Sequence, residues 1–479
     1  MLVGGSPVRV LRLTPAGARA VAGWFSGVPV PSGTAARALA RRLLDAGIAH
    51  PDWGDRARSD GSPGVDDVTV VIPVRDRQAE LARCLAGLRG LPNVVVVDDG
   101  SADPAGIAAI CAEHGARVVH RAVNGGPGAA RNTGLAAAST GLVAFLDSDC
   151  VPAPGWLDRL LPHFRDPAVG AVAPRIVPHE AGTSWLARYE GASSTLDMGA
   201  RPSIVRPGAR VSYVPGAALV VRAAAAGAGF AAGMYVGEDV DFVWRMSAAG
   251  WRVRYEPAAV MGHDHRVRFR AWFSRRREYG TSAAALEQLH PGAVRPLYAS
   301  WWTVGAWAAA LAGRPVTAAA LTGTATALLA RRLSRVTGER WPLPATANDN
   351  SKKRERAAAW PLATRLAAGG TVAAARPLGS ALSRTWWPVA IPVAVAVPRL
   401  RLPAAALMLA PPLLDWADRR PPLSPARYVA ARLLDDAAYS LGVWQGCLSR
   451  RTLSPLLPVF GGVTGMSARR DESHAAPSS

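Results

Sequence analysis

Between residues 68 and 147, four short apolar runs alternate with helical stretches, and this alternation restricts the fold more than any other feature of the sequence. The runs are VTVVIPV (68–74), NVVVVDDG (93–100), ARVVH (116–120) and LVAFLD (142–147). Their β-branched residues predict strands buried on both faces, and the stretches at 78–90, 105–114 and 127–138 predict helices. Such alternation is typical of a mainly parallel sheet with right-handed crossovers. The sequence therefore predicts an α/β fold whose ligands bind at the carboxyl ends of the strands.

Composition limits the classes of protein to which the chain can belong. Apolar residues make up 49% of the 479 residues, which excludes a disordered chain and can fill more than one domain core. Basic residues exceed acidic residues by 55 − 35 = 20, and such a charge favours anionic partners such as nucleotides, nucleic acid or lipid. Because Lys352 and Lys353 are the only lysines, we attribute part of this excess to an arginine-rich composition.

The cysteines and the N-terminus indicate the compartment. The four cysteines form no CxxC pair, which excludes the common zinc and redox motifs; they are Cys84, Cys111, Cys150 and Cys447. A disulfide scaffold is not expected at this chain length, and a reducing compartment fits better. The N-terminal MLVGGSPVRVLRL lacks the apolar core of a signal peptide. We therefore expect the protein on the cytoplasmic side of the cell membrane.

Composition also divides the chain into four parts. Residues 1–66 contain a strand, a helix that Thr14 can cap and a second helix, and they predict a small winged-helix-like unit followed by a polar linker. Residues 67–290 hold the predicted α/β domain. Residues 291–465 are rich in Ala, Leu, Trp and Pro and predict a mostly α-helical region. Residues 466–479 predict a flexible tail.

The helical region contains short apolar segments without charge. Residues 297–313 and 316–330 contain no charged residue, and residues 386–397 and 402–414 are equally apolar and rich in proline. Each is shorter than the ~20 residues that cross a bilayer. Neighbouring tryptophans could act as interfacial anchors. We expect membrane contact through 297–330 and 386–414, by insertion or by surface binding. A soluble alanine-rich helical domain is the alternative.

Two acidic pairs follow predicted strands. Asp98 and Asp99 end the run VVVV, where a carboxylate can accept hydrogen bonds from a nucleotide base or ribose. Capping of the next helix by Ser101 or Asp103 is the simpler interpretation of that turn. Asp147 and Asp149 follow LVAFL, and two acids in this position can hold a divalent cation that bridges a diphosphate.

Three further groups carry potential chemistry. Arg131, in NGGPGAARNTG, offers a planar donor for a base or phosphate, or else a structural ion pair with an aspartate. Glu238 and Asp239 begin a predicted helix, where acids favour the positive helix terminus, but where one carboxylate could also act as a general base. His263 and His265 could complete a metal site that Asp149 begins, or could be ordinary surface histidines.

Seven segments follow one another in an order that is more specific than any of them alone. They are VTVVIPVRDR, VVVVDDGSAD, GPGAARNTGL, FLDSD, VPGAALVVR, GEDVDFVWRMSAAGWRVRYEP and GHDHR. Over residues 67–270 this set resembles the family 2 glycosyltransferases, which have the GT-A nucleotide-sugar-binding fold. The resemblance implies inverting transfer of a sugar from a nucleotide sugar, usually a UDP-sugar. One departure is that Arg75 and Asp76 stand where the family often has an aromatic residue and an asparagine.

The resemblance assigns the donor-binding residues. It implies that Pro73 and Val74 line the base pocket and that Asp98 or Asp99 contacts the uracil, with the choice between them open. Arg131 would lie near the base, and Asp147 would approach the ribose.

The resemblance also assigns the metal and the catalytic groups. Asp149 and His263 would bind Mn²⁺ or Mg²⁺, with His265 as the reserve ligand. Asp239 would be the catalytic base, and Glu238 would orient the acceptor or the neighbouring loop.

The order of the four parts resembles the glycosyltransferase group of the mycofactocin system. That group attaches glucose to a peptide-derived redox cofactor. The resemblance implies UDP-glucose as the donor, the mycofactocin precursor as the acceptor and an oligosaccharide as the product. The alternative is a membrane-associated family 2 enzyme for exopolysaccharide or lipid-linked sugar. We expect no nucleic acid partner, because the stretch LARRLLDAG offers only Arg41 and Arg42 as basic residues and contains no aromatic residue.

Overall fold

The computed structural model describes residues 2–53, 61–339 and 349–461, and it separates into two compact units. The first unit comprises Met1–Trp272 and Gln288–Ala293, and the second comprises Phe273–Glu287 and Val294–Ser479. The sequence places the end of the α/β domain at residue 290; the first unit reaches Ala293, but residues Phe273–Glu287, within a continuous helix, belong to the second unit. A change of composition along the sequence does not reveal a boundary that lies inside a continuous helix. The predicted tail at 466–479 lies outside the described residues.

The N-terminal part of the first unit is a hairpin followed by two helices. Strands β1 (Leu2–Gly4) and β2 (Arg9–Leu11) pair antiparallel, and helices α1 (Pro15–Phe25) and α2 (Thr34–Asp45) follow. Thr14 caps α1 as predicted, because its side chain accepts the N–H of Gly17. The sequence predicts one strand here and the structure has two, since strands of three residues are too short to show a hydrophobic period.

Two ion pairs attach this N-terminal part to the rest of the first unit. Arg41 binds Asp166 with two hydrogen bonds of 2.6 and 3.1 Å. Asp45 accepts two from Arg252, at 2.6 and 3.0 Å. Bidentate arginine–carboxylate pairs fix orientation as well as distance. The N-terminal helices therefore share one compact unit with the sheet.

The first unit is built on a nine-stranded mixed sheet. Its first four strands, which the sequence predicts almost to the residue, are β3 (Val68–Val74), β4 (Val94–Asp99), β5 (Arg117–Arg121) and β6 (Leu142–Leu146). These four are parallel and lie in the order β5-β4-β3-β6. The remaining strands are β7 (Cys150–Pro152), β8 (Val169–Pro178), β9 (Ser203–Val205), β10 (Ala218–Arg222) and β11 (Arg252–His263).

The second half of the sheet introduces antiparallel pairs. Beyond β6 the order continues β10-β8-β11-β7, with β9 pairing to β11. Strand β10 is antiparallel to both β6 and β8, while β11 is parallel to β8. The predicted α/β class with a mainly parallel half of the sheet is confirmed.

Helices cover the sheet and place its loops. They are α3 (Gln78–Ala86), α4 (Pro104–Glu113), α5 (Gly126–Ala137), α6 (Trp156–Leu160), α7 (Trp185–Ser193) and α8 (Glu238–Ala248). Helix α9 (Phe269–Leu289) follows, and its residues Phe273–Glu287 belong to the second unit. Helix α5 lies very close to β3, because a Cβ on Gly134 would be 2.1 Å from the Val71 side chain. This close approach brings the start of α5 to the carboxyl edge of the sheet.

The second unit is mostly helical, as predicted. Its elements are β12 (Tyr298–Ser300), α10 (Trp301–Leu311), α11 (Pro315–Glu339), α12 (Asp349–Ala373), α13 (Ala375–Ala381), α14 (Trp387–Ala396), α15 (Arg401–Arg419), α16 (Pro425–Ser449) and β13 (Val459–Gly461). Helices α9 and α16 cross at glycines: a Cβ on Gly442 would be 1.9 Å from the carbonyl oxygen of Arg277. Only glycine permits backbones to approach so closely.

Within residues 2–53, 61–339 and 349–461, no helix combines the length and apolarity needed to cross a bilayer. The uncharged segment at 297–313 forms an eleven-residue helix, α10, and the segment at 386–397 forms a ten-residue helix, α14.

All four cysteines are free and buried. Burial raises the pKa of the Cys111 and Cys447 thiols to about 11. Burial also raises the pKa of Cys84 and Cys150. None of the four is a thiolate at neutral pH, and none forms a disulfide.

Candidate active site

Most of the predicted site residues meet at the carboxyl edge of β3, β4 and β6. Asp98 pairs in register with Val74, and Asp147 and Asp149 follow β6 directly. Glu238 and Asp239 begin α8, and His263 ends β11. Because parallel strands end on the same side of a sheet, sequence segments far apart meet at this edge.

Asp98 is buried and is hydrogen-bonded both by the loop that follows it and by a side chain of β5. Its Oδ1 accepts the N–H of Ser101 at 3.0 Å, and its Oδ2 lies 2.9 Å from His120 Nδ1. Burial raises the pKa of Asp98, but the hydrogen bonds from Ser101 and His120 lower it more, so that it lies below the ordinary value. Asp103, and not Ser101, caps α4, by accepting the N–H of Gly106.

Asp99 holds the glycine turn that begins α5. Its carboxylate accepts the N–H groups of Gly125 at 3.0 Å and Gly126 at 2.8 Å, and also the Nε–H of Arg121 at 2.8 Å. Gly126 has φ +84°, and a Cβ there would be 2.7 Å from the Tyr235 ring. Asp99 therefore fixes a backbone conformation that glycine adopts readily.

Arg131 joins two of the acidic groups. Its Nη2 donates to Asp147 Oδ1 at 2.7 Å and its Nη1 to Glu238 Oε1 at 2.8 Å, and only 4% of its side chain is exposed. Burial lowers the pKa of Arg131, but the charges of Asp147 and Glu238 raise it by more, so that it lies above its ordinary value. The terminal nitrogens of Arg131 thus bind protein carboxylates. Of the two interpretations that the sequence left open, a ligand contact or a structural ion pair, the structure has the ion pair.

Asp239 is positioned by two backbone donors. Gly237, with φ +82°, turns the chain into α8. Asp239 Oδ2 accepts the N–H of Gly216 and its Oδ1 accepts the N–H of Val240, both at 2.8 Å. A Cβ on Gly216 would be 2.9 Å from the Asp239 Cβ, so only glycine fits. Each carboxylate oxygen can accept a second hydrogen bond, which leaves Asp239 able to take a proton from another group.

Glu238 is buried beside Asp239 and Arg131. Burial and the Asp239 charge raise the pKa of Glu238 to about 7, and the ion pair with Arg131 offsets only part of this rise. Desolvation disfavours the charged carboxylate. Glu238 therefore binds a proton more readily in the folded protein than in the unfolded chain.

We expect Glu238→Gln to remove part of the pH dependence of stability. A raised folded-state pKa contributes stability that is complete below the unfolded value of about 4.5 and is lost as the pH rises through about 7. Urea unfolding of both proteins at several pH values measures this. The wild type should lose stability relative to the variant between those limits, and a pH-independent difference would contradict the prediction.

Asp149 and His263 face each other and are candidate metal ligands. Asp149 Oδ1 lies 3.4 Å from His263 Nε2, and each side chain is 14% exposed. Burial raises the pKa of Asp149, but His263 and Arg77 lower it more, so that it lies below the ordinary value. His265 Nδ1 lies 3.2 Å from His263 Nδ1, on the far side of the His263 ring. His265 is thus placed to orient His263.

The donor set fits a divalent cation. Among the described residues, Asp149, Cys150 and His263 form a cluster close enough to share one ion. Cys150 remains a thiol that donates to the carbonyl oxygen of Ala217, so it offers no thiolate. One carboxylate oxygen and one imidazole nitrogen suit Mn²⁺ or Mg²⁺ and leave coordination positions for water and phosphate.

Arg77 is the residue of this edge that sequence reasoning missed. Its Nη1 binds Asp149 Oδ2 directly. The preceding Asp76 has φ +57° and accepts the N–H of Ala102 at 2.7 Å, which turns the loop after β3. The departure at Arg75 and Asp76 marks this loop in the sequence, but only the structure shows that the next side chain reaches Asp149.

Comparison with known proteins identifies the family of this chain. Residues 69–225 match the family described as Glycosyl transferase family 2. The pre-mycofactocin glycosyltransferase of Mycobacterium tuberculosis is 41% identical over 467 residues, which cover 95% of this chain and 94% of that protein. The succinoglycan biosynthesis protein ExoU of Rhizobium meliloti is 37% identical over 101 residues, or 20% of this chain and 30% of that protein.

A solved mannosyltransferase from Pyrobaculum calidifontis, in complex with GDP-Man and Mn²⁺, is 21% identical to this chain. The match covers 68% of this chain and 92% of that chain, with a TM-score of 0.39. The near-complete match to the mycobacterial relative carries the assignment. The chain therefore belongs to family 2 of the glycosyltransferases, and within it to the group that includes the pre-mycofactocin glycosyltransferase.

Proposed function

We propose that this enzyme transfers glucose from UDP-glucose to a hydroxyl of the mycofactocin precursor, with inversion at the anomeric carbon, and repeats the step to build an oligosaccharide. The observation that carries the proposal is the 41% identity to the pre-mycofactocin glycosyltransferase over 95% of this chain. Similarity along both units supports a shared acceptor more strongly than a similarity confined to the sheet would. The proposed setting is the cytoplasmic side of the cell membrane.

The donor would lie along the carboxyl edge of the parallel strands. Pro73, Val74 and the loops that Asp98 and Asp99 hold would enclose the base. Asp147, 31% exposed and fixed by Arg131, would accept a hydrogen bond from the ribose. Asp149 and His263 would hold Mn²⁺ or Mg²⁺, which when bound supplies positive charge to the diphosphate leaving group.

Asp239 would activate the acceptor. Its carboxylate would take the proton of the acceptor hydroxyl while that oxygen forms the new bond to the anomeric carbon. The bond from the anomeric carbon to the diphosphate breaks on the opposite face, and UDP leaves with the electron pair. One direct displacement inverts the configuration and requires no covalent intermediate. Glu238 and Arg131 would hold the start of α8 in place.

The decisive assay is UDP release from UDP-glucose with Mn²⁺, with and without the mycofactocin precursor, followed by mass spectrometry of the precursor. We expect the precursor to stimulate release and to gain hexose-sized masses. A lipid-soluble sugar product without precursor labelling would instead favour the exopolysaccharide or lipid-linked alternative. The ExoU match, which covers 20% of this chain, is limited support for that alternative.

We expect Asp149→Ala to weaken Mn²⁺ binding by at least about tenfold, because the variant loses a charged oxygen ligand. Titration of the purified protein with Mn²⁺, followed by electron paramagnetic resonance, measures free and bound ion without any turnover. Asp158→Ala, at the first turn of α6, removes an equal charge elsewhere. Equal Mn²⁺ affinity in Asp149→Ala and the wild type would move the metal site elsewhere.

We expect Arg77→Gln to have the opposite effect and to strengthen Mn²⁺ binding in the absence of donor. Arg77 pairs with Asp149 Oδ2, so its positive charge competes electrostatically with a cation bound at the same carboxylate. Arg83→Gln is the matched control, because Arg83 pairs with Asp264 at the same edge but touches neither proposed ligand. If the two variants bind Mn²⁺ equally, Arg77 does not compete with the metal.

A further inference from the structure

We propose that helix α14 and the start of α15 form a surface anchor that inserts into the interfacial region of an anionic lipid bilayer. This contact is separate from sugar transfer and concerns residues 387–402 of the second unit. It specifies one of the two forms of membrane contact that the sequence predicts, and it assigns that contact to one helix.

Helix α14 exposes aliphatic side chains along its whole length. Its sequence is WPVAIPVAVA, and none of its residues is buried. The exposed aliphatic residues of the helix are Val389 (50% exposed), Ile391 (46%), Val393 (44%) and Val395 (63%). Leu402, the second residue of α15, is 83% exposed. So many exposed aliphatic side chains within one short helix indicate an interaction site in a folded protein.

The spacing of these residues distinguishes a bilayer from a protein partner. Successive residues of an α-helix are 100° apart, so residues two positions apart point to nearly opposite sides of the helix. Val389 and Val393 therefore lie on one side of α14, and Ile391 and Val395 lie on a nearly opposite side. A folded partner protein or a second copy of this chain would cover one side, whereas lipid chains can contact both sides of a helix at the bilayer interface.

Length and charge specify the depth and the lipid. Ten residues make a helix about 15 Å long, half the ~30 Å of a bilayer core, which fits insertion at the interface and not a span. Residues 385–414 contain two basic residues, Arg399 and Arg401, and no acidic residue. Both arginines are exposed at the end of α14, and Arg401 also donates to the carbonyl oxygen of Val395 at 2.8 Å. Arginines in this position attract anionic headgroups.

Vesicle sedimentation with the full-length protein tests the anchor. We expect the wild type to sediment with vesicles of phosphatidylcholine mixed with phosphatidylglycerol, and less with phosphatidylcholine alone. The double variant Val393→Glu/Val395→Glu should bind at least about tenfold more weakly, because charged side chains are costly to place in the bilayer. Both positions are exposed, so the substitutions should not disturb folding.

The matched control is Val372→Glu/Leu448→Glu, which adds the same charge at two aliphatic residues on α12 and α16 that are each 73% exposed. This control should bind vesicles like the wild type. The anchor is refuted if the wild type stays in the supernatant or if both double variants lose binding equally. It is also refuted if the wild type forms a dimer in solution that Val393→Glu/Val395→Glu dissociates. UDP release measured without vesicles reports sugar transfer separately from all of these outcomes.

Discussion

Asp239→Asn is expected to reduce sugar transfer by about 10²–10⁴-fold, the usual contribution of a general base, while UDP binding changes little. The amide has nearly the shape of the carboxylate and can still accept the N–H of Gly216 through its oxygen. It cannot take the proton of an acceptor hydroxyl. The proposed metal ligands Asp149 and His263 are unaltered, so affinity for UDP and Mn²⁺ should persist. Acceptor-dependent UDP release measures transfer, and calorimetry measures UDP binding.

Asp103→Asn is the matched control for this loss. Asp103 is exposed and caps α4, and asparagine is an equally good cap. The substitution therefore removes the same charge from the strand edge without removing the proposed base. Transfer at the wild-type rate by Asp239→Asn would refute the role of Asp239. Equal losses in both variants would indicate a general effect of charge.

Arg131→Met is expected to destabilise the first unit by about 3 kcal/mol, the lower end of the cost of breaking a buried ion pair. The substitution leaves Asp147 and Glu238 without their shared cation. The loss is limited because Glu238, with its pKa raised to about 7, can bind a proton instead. Asp147 is partly hydrated. Urea unfolding followed by tryptophan fluorescence measures the change.

Arg175→Met is the comparison for the same type of substitution. Arg175 makes two hydrogen bonds with Asp197, at 2.9 and 2.8 Å, but about a third of its side chain is exposed. Such partly hydrated pairs contribute at most about 1 kcal/mol. If the two variants lose the same free energy of unfolding, burial does not determine how much the Arg131 ion pairs contribute to stability.

The parallel half of the sheet could be predicted from sequence because local composition determines it. The runs at Val68–Val74 and Val94–Asp99 are apolar enough to be strands in any surroundings, and the acids that follow them have to lie at one edge. The glycosyltransferase segments then added positions that no local pattern could assign, such as Asp239 at the start of α8.

Other features depend on contacts between distant residues and could not be predicted. Arg77 is three residues beyond a strand, and only the φ of +57° at Asp76 and the position of Asp149 bring the two charges together. Arg131 could pair with a ligand or with a protein carboxylate, and the choice depends on Glu238, which is 107 residues away. The boundary between the two units after Trp272 lies inside a helix, and no local sequence pattern marks it.

Burial of the four thiols has a practical consequence. Oxidants and alkylating reagents attack the thiolate, so the folded enzyme should resist both, and a cysteine should react only when its surroundings open. Cys84, Cys111 and Cys150 lie in the first unit and Cys447 lies in the second. The labelling rate of each residue, read by mass spectrometry, would therefore report the opening of each unit separately without any introduced probe.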